Sequence, residues 1–222
     1  MIELPLFPLN TVLFPGMPLE LHIFEERYKE MIGMCIEKRL PFGIVLLESG
    51  QAELPLDGSA EIRPFLIGCT AHITQVRPLP QGRMNITVVG KERFVIRSLS
   101  YEKPYLVGMI DVIPIEKGDL MALFNGKNVL MKWIERYLQI LESAGQIQFD
   151  PKQLPGDVTS LIYLGAVLLQ GISMAQKQKL LATQSLSEMT QDLITLYRRE
   201  VVLLEAMLSP PVQHDLNPFS LN

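Results

Sequence analysis

The 222-residue chain is 48% hydrophobic and 20% charged, long enough for one large domain or two small ones and too apolar to be disordered over most of its length. A formal net charge of −4 weighs against a dedicated nucleic-acid binder, which carries a basic face. Two cysteines, Cys35 and Cys69, are too few for a disulfide framework and point to a reducing compartment, so a cytoplasmic protein without a membrane partner is expected. The start "MIELPLFPLN" has no basic segment ahead of an apolar one. The most apolar run, Val158 to Ile172, is short for a membrane span, which needs about 20 such residues.

The first stretch, "LPLFPLNTVLFPGMPLELHIFEERYKEMIGMCIEKR" (Leu4 to Arg39), changes character several times. Leu4 to Leu9 and Val12 to Phe14 are apolar on both faces and read as short, covered strands. Pro5 and Pro8 cannot donate ladder hydrogen bonds, which predicts an edge position or irregular pairing for the first of them. Pro15-Gly16 is a turn dipeptide. Leu19, Leu21 and Ile23 then alternate with Glu20, His22 and Phe24 as in a half-buried strand. From Glu25 the period lengthens: Tyr28, Met31, Ile32, Cys35 and Ile36 make one buried stripe of a helix running to Arg39. Glu25 and Glu26 in the first turn and Lys38 and Arg39 in the last suit the helix dipole.

Further strands are expected at Phe42 to Leu47, Ile62 to Val76, Arg83 to Gly90, Arg93 to Leu99 and Tyr105 to Pro114. The Arg77–Gly82 segment reads as a hairpin loop, and Gly90 as a bulge or bend between two strand segments. Many short strands with one helix predict a small closed or half-closed barrel. The composition changes near Lys117-Gly118. Apolar residues at Leu120, Leu123, Phe124, Met131, Ile134, Leu138 and Leu141 then mark a long helix over Asp119 to Glu142. After a loop containing Gly145, Pro151 and Pro155, Asp157 caps an apolar helix from Val158. "SMAQ" (Ser173 to Gln176) has capping-box spacing, and Ser185 or Ser187 caps a last helix reaching about Leu208 before Pro210-Pro211. This organisation is α+β: residues 1–116 β-rich, residues 117–208 helical, and residues 209–222 a tail.

Signatures of chemistry are missing. "NGKNV" around Lys127 lacks the upstream glycine and the hydroxyl of a phosphate loop. No G-x-S-x-G elbow occurs, and "SYEK" (Ser100 to Lys103) lies between strands beside Pro104, not at a helix start. His22, Cys35, Cys69, His72 and His214 lack paired metal-ligand spacings, so no metal and no cofactor is expected. Glu25 and Glu26 diverge by about 100° on a helix and do not converge on one substrate atom. Arg27 is explained by a helix-surface salt bridge. The residues therefore read as those of a protein that is not an enzyme.

"LPLFPLNTVLFPGMPLELHIFEERYKEMI" resembles the opening of the Lon protease N-terminal, substrate-binding domain family. The resemblance continues through "GCTAHITQV" (Gly68 to Val76), "VVGKERFVI" (Val89 to Ile96) and "AQKQKLLATQSLSEMTQDLITLYRREV" (Ala175 to Val201), nearly the whole chain. Glu26 stands where the family often has proline, which leaves the helix start intact. The resemblance implies a PUA-like β-barrel (the fold of pseudouridine synthase and archaeosine transglycosylase domains) with one packed helix, followed by a C-terminal helical bundle. It also implies a stand-alone recognition module, because neither the ATPase module nor the Ser–Lys protease domain of Lon is encoded in these residues.

The partners implied are unfolded or tagged polypeptides, together with a separate protease or chaperone, in an adaptor or chaperone-like role. Recognition of that kind needs exposed apolar surface, not titrating groups. The polypeptide-binding candidates are Phe14, Pro15, Met17 and Pro18 around the Pro-Gly turn and Leu79 and Pro80 in the hairpin loop; the alternative duty of these side chains is to fill the barrel ends. Two other functions remain open at this level: RNA binding, which PUA-like folds also serve, and small-ligand sensing in a groove between barrel and bundle.

Overall fold

The computed structural model describes residues 1–48, 63–148, 150 and 154–208. Ile62, Pro151 and the tail, all assigned from sequence, lie outside the described residues. Six strands come first: β1 (Ile2–Leu9), β2 (Pro18–Ile23), β3 (Phe42–Leu46), β4 (Ile67–Pro78), β5 (Met84–Ser100) and β6 (Leu106–Val112). The helix α1 (Glu26–Lys38) lies between β2 and β3, and α2 (Leu120–Ser143), α3 (Val158–Leu168), α4 (Met174–Ala182) and α5 (Leu186–Leu208) follow the strands. The boundary expected at residue 116 falls in the connection from β6 to α2.

β5 organises the sheet. Its 17 residues pair with β4 along most of their length, with β2 over Met84 to Val89 and with β6 over Phe94 to Ser100. β6 pairs with β1, β1 with β3 and β3 with β4, so the hydrogen-bonded ring β5–β4–β3–β1–β6 closes on itself. Closure removes most free edges. Two strands expected on either side of Gly90 are thus one, and the bulge falls just beyond that glycine: Lys91 and Glu92 together oppose Thr70. The Thr70 hydroxyl accepts the Glu92 N–H at 3.0 Å, so the bulge leaves no donor idle there.

β1 is not at an edge, and its prolines are tolerated because its pairing is staggered. Ile2 to Leu6 pair with β6 on one side, and Leu6 to Leu9 pair in parallel with β3 on the other. Each half therefore has an unpaired flank to which a proline nitrogen can turn. The parallel β1–β3 pair needs a long crossover, which β2 and α1 supply. On α1, Tyr28, Met31, Ile32 and Cys35 are buried against the barrel as their spacing predicts, whereas Ile36 is exposed.

The helices form their own core around Leu130, Ile134, Leu161, Met189, Leu193 and Tyr197. α2 and α5 run side by side in the same direction, since Asp119 meets Ser187 near one end and Arg136 meets Glu205 near the other. They approach closely because Gly126 faces Thr190, where a Cβ would come within 2.8 Å of the threonine methyl. The Tyr197 hydroxyl donates to the Gly165 carbonyl of α3 at 2.7 Å. Caps sit where the sequence puts them: Asp119 and Asp157 accept first-turn N–H groups, Ser173 and Gln176 form the reciprocal box, and the Ser185 hydroxyl accepts from Glu188 N–H. Leu120 and Phe124, counted with the buried stripe of α2, are exposed instead, because the inward face of α2 is the one that carries Leu123, Gly126 and Leu130.

Candidate functional site

The Pro-Gly turn is built into the junction between barrel and bundle. Met17 N–H donates to Phe14 C=O at 3.2 Å, with Pro15 second and Gly16 third at φ +78°, a conformation that favours glycine. Gly16 N–H donates to Gly90 C=O at 2.8 Å and Gly90 N–H to Met17 C=O at 3.0 Å, so the turn enters β2 through a glycine bulge opposite Gly90. Gly90 is required by proximity: a Cβ there would lie 2.3 Å from the Phe14 carbonyl oxygen.

The segment Val12 to Phe14, expected as a strand, is irregular, and its adjacent side chains serve different cores. Leu13 joins the barrel cluster and Phe14 the helical one, with its ring 6.2 Å from that of Tyr163. Phe14 is 1% exposed and is therefore a core residue, not a contact surface for a client. Pro15 and Met17 are half-buried and Pro18 is exposed.

Leu79 and Pro80 lie elsewhere. Their loop closes through Leu79 N–H to Arg83 C=O at 2.8 Å and is pinned to α1 by Lys29 Nζ, which donates to Gln81 C=O at 3.0 Å. It sits at the Ile23 end of β2, whereas the turn sits at the Pro18 end. Five residue steps of extended chain, about 17 Å, separate them, so the two groups of candidates do not form one patch. Leu79 is half-buried and Pro80 exposed.

The sequence reading missed the seam between β4–β5 and α4. Arg93 of β5 is 4% exposed, and its guanidinium donates to the carbonyls of Leu181 (2.8 Å), Thr183 (2.6 Å) and Pro114 (3.1 Å). It neutralises the C-terminal end of α4, where the helix dipole is negative; burial holds its pKa below the usual arginine range. Gln178 of α4 reaches back to donate to Ile67 C=O at 2.8 Å. Beside this pin lies an apolar groove of about 430 Å³, walled by Phe65, Leu66 and Ile67 from the barrel and Ala175, Lys179 and Ala182 from α4. Leu66, 59% exposed, stands in its wall. The run "PFLIG" offered the only signal, an apolar tetrad too long for one buried face of a short strand.

Chemistry remains sparse. Among the described residues no three His, Cys, Asp or Glu side chains group to hold a metal ion. Glu25 pairs with Arg27 at 2.7 Å and Glu26 with Lys29 at 2.7 Å, and His22 Nδ1 lies 2.6 Å from Asn85 Oδ1. Burial pushes the thiol of Cys35 up to about 11 and that of Cys69 up to about 12, which makes them inert core groups. No described helix is long and apolar enough to cross a membrane.

Known proteins of similar sequence and structure agree with this arrangement. Residues 3–199 match the model of the ATP-dependent protease La (LON) substrate-binding domain. The Lon protease of Parabacteroides distasonis is 26% identical over 228 aligned residues, covering 96% of this chain and 26% of its own length. That of Cytophaga hutchinsonii is 26% identical over 205, covering 91% and 25%. The chain thus spans about a quarter of the length of these relatives. The Lon N-terminal domain protein of Xanthomonas campestris superposes with a TM-score of 0.63 at 22% identity, over 88% of this chain and 98% of that one. The N-terminal domain of the Mycobacterium avium complex Lon protease gives 0.63 at 18% identity, over 89% and 98%. A match spanning the barrel, the seam and most of the bundle places this chain in the Lon substrate-binding domain family.

Proposed function

We propose that this chain recognises polypeptides in an extended, incompletely folded form and carries out no chemistry on them itself. The observation that carries the reading is the seam groove, an apolar surface with an exposed leucine held open between two rigid elements by Arg93 and Gln178. Exposed apolar surface beside polar rims is what non-specific capture of unfolded chains requires. Family membership in a substrate-binding domain supports the same reading. Met17 and Pro18 at the turn and Leu79 and Pro80 at the hairpin tip are proposed as outlying contacts, at opposite ends of β2. In this reading the protein works in the cytoplasm as an adaptor or chaperone-like partner of a protease, and ATPase and peptidase activities are both absent from it.

The test is a titration with a permanently unfolded protein and, separately, a structured RNA, each at low and moderate salt. Unfolded chain should bind with little salt dependence, since apolar burial is barely screened, and Leu66→Asp should weaken it at least severalfold without unfolding the domain. Met17→Asp and Leu79→Asp report on the outlying contacts in the same assay. Binding of RNA alone, abolished by salt, would replace this reading with nucleic-acid recognition.

A further inference from the structure

A second groove, of about 410 Å³, lies between the last turn of α1 and β4, walled by Ile36, Arg39 and Leu40 on one side and His72, Thr74 and Val76 on the other. We propose that it binds an extended segment in which an apolar side chain is followed by a carboxylate, with Arg39 as the carboxylate's contact. The proposal rests on the polypeptide-binding reading and gives it a sequence preference.

Three observations converge here. The first is apolar exposure: Ile36, Leu40 and Val76 are all open to solvent, although Ile36 belongs by spacing to the buried stripe of α1. The second is charge. Among the described residues, Arg39 is the only formally charged one in the groove lining, no carboxylate lines it, and the Arg39 guanidinium has no hydrogen bond or ion pair. A locally positive groove on a chain of net charge −4 is complementary to an anion. The third is a free backbone edge. β3 pairs with β4 only at Cys69, Thr70 and Ala71, so from His72 to Pro78 β4 is bonded on its β5 side alone. An extended chain can lay its own amides along that edge, past the bulge at Thr74, with alternate side chains entering the groove. A peptide satisfies all three features at once; a phosphate backbone satisfies only the charge.

Arg39 itself carries a structural signature of this role. It ends α1 in the left-handed region, φ 53° and ψ 41°, where glycine is the unstrained choice. Its N–H caps Ile36 C=O, a bond that glycine would make equally well. An arginine thus stands at a position where the backbone favours glycine.

The experiment uses two short labelled peptides, identical except that an aspartate following a leucine pair is asparagine in the second. Fluorescence anisotropy at low salt should give about fivefold tighter binding of the aspartate peptide, the upper end of what an exposed ion pair supplies. Arg39→Gln should remove that preference while leaving the asparagine peptide's affinity unchanged. Arg39→Gly should do the same with an unchanged or higher denaturation midpoint, which a merely structural arginine would not allow. Equal affinity for the two peptides, or a preference that survives Arg39→Gln, overturns the proposal while unfolded-protein binding continues to support the broader function. Loss of both peptide and unfolded-protein binding in the parent protein overturns both.

Discussion

Arg93 is the test of whether barrel and bundle form one rigid recognition surface. Its guanidinium makes three hydrogen bonds, at 2.6 to 3.1 Å, to carbonyls on either side of the seam. Bonds from a charged donor contribute about 1.5–3 kcal/mol each, and the cost of burying the cation offsets part of their sum. Arg93→Met keeps much of the apolar stem but leaves the Leu181, Thr183 and Pro114 carbonyls facing a thioether. A loss of about 3–5 kcal/mol follows, a large share of the ~5–15 kcal/mol typical of a folded domain. Arg93→Lys should lose about half as much, because one ammonium cannot span carbonyls on both elements. Urea denaturation gives the stability change, and amide hydrogen exchange at the end of α4 and along β5 locates it. A loss under about 1 kcal/mol for Arg93→Met, with exchange at α4 unchanged, would show that the seam is held by packing alone.

Phe14→Ala should cost about 3–5 kcal/mol, because it empties a buried ring site between turn and bundle, whereas Leu79→Asp should leave the urea midpoint nearly unchanged. Equal effects would contradict the separation of core from loop. The thiols of Cys35 and Cys69 should resist iodoacetamide at pH 8 in the native protein and react once urea unfolds it. Their folded pKa values, raised to about 11 and about 12, lie above those of the unfolded chain. Protons are then held more tightly in the folded state, so this contribution is intact below pH 9 and is lost as pH rises toward 12; Cys69→Ala should flatten that alkaline decline. Gly90→Ala should fail to fold or lose most of its stability, since its Cβ would meet backbone, not a movable side chain; a native-like midpoint would refute the tight turn clamp.

Local periodicity and capping chemistry fixed much of the architecture in advance. The helix starts at Asp119, Asp157 and Ser173, the Tyr28–Met31–Ile32–Cys35 stripe and the β-rich half followed by a helical half are all legible, because caps and stripes depend on residues a few positions apart. Tertiary contacts decided the rest. Whether Phe14 faces solvent depends on where α3 lies, roughly 150 residues later in the chain. Whether Pro5 sits at an edge depends on the offset between β3 and β6, and whether Ile36 is core or groove depends on where β3 leaves β4. Arg93 looks like any strand arginine until α4 brings it three carbonyls. Burial and charge pairing at the two grooves are set by elements distant in sequence, and local pattern carries no record of those distances.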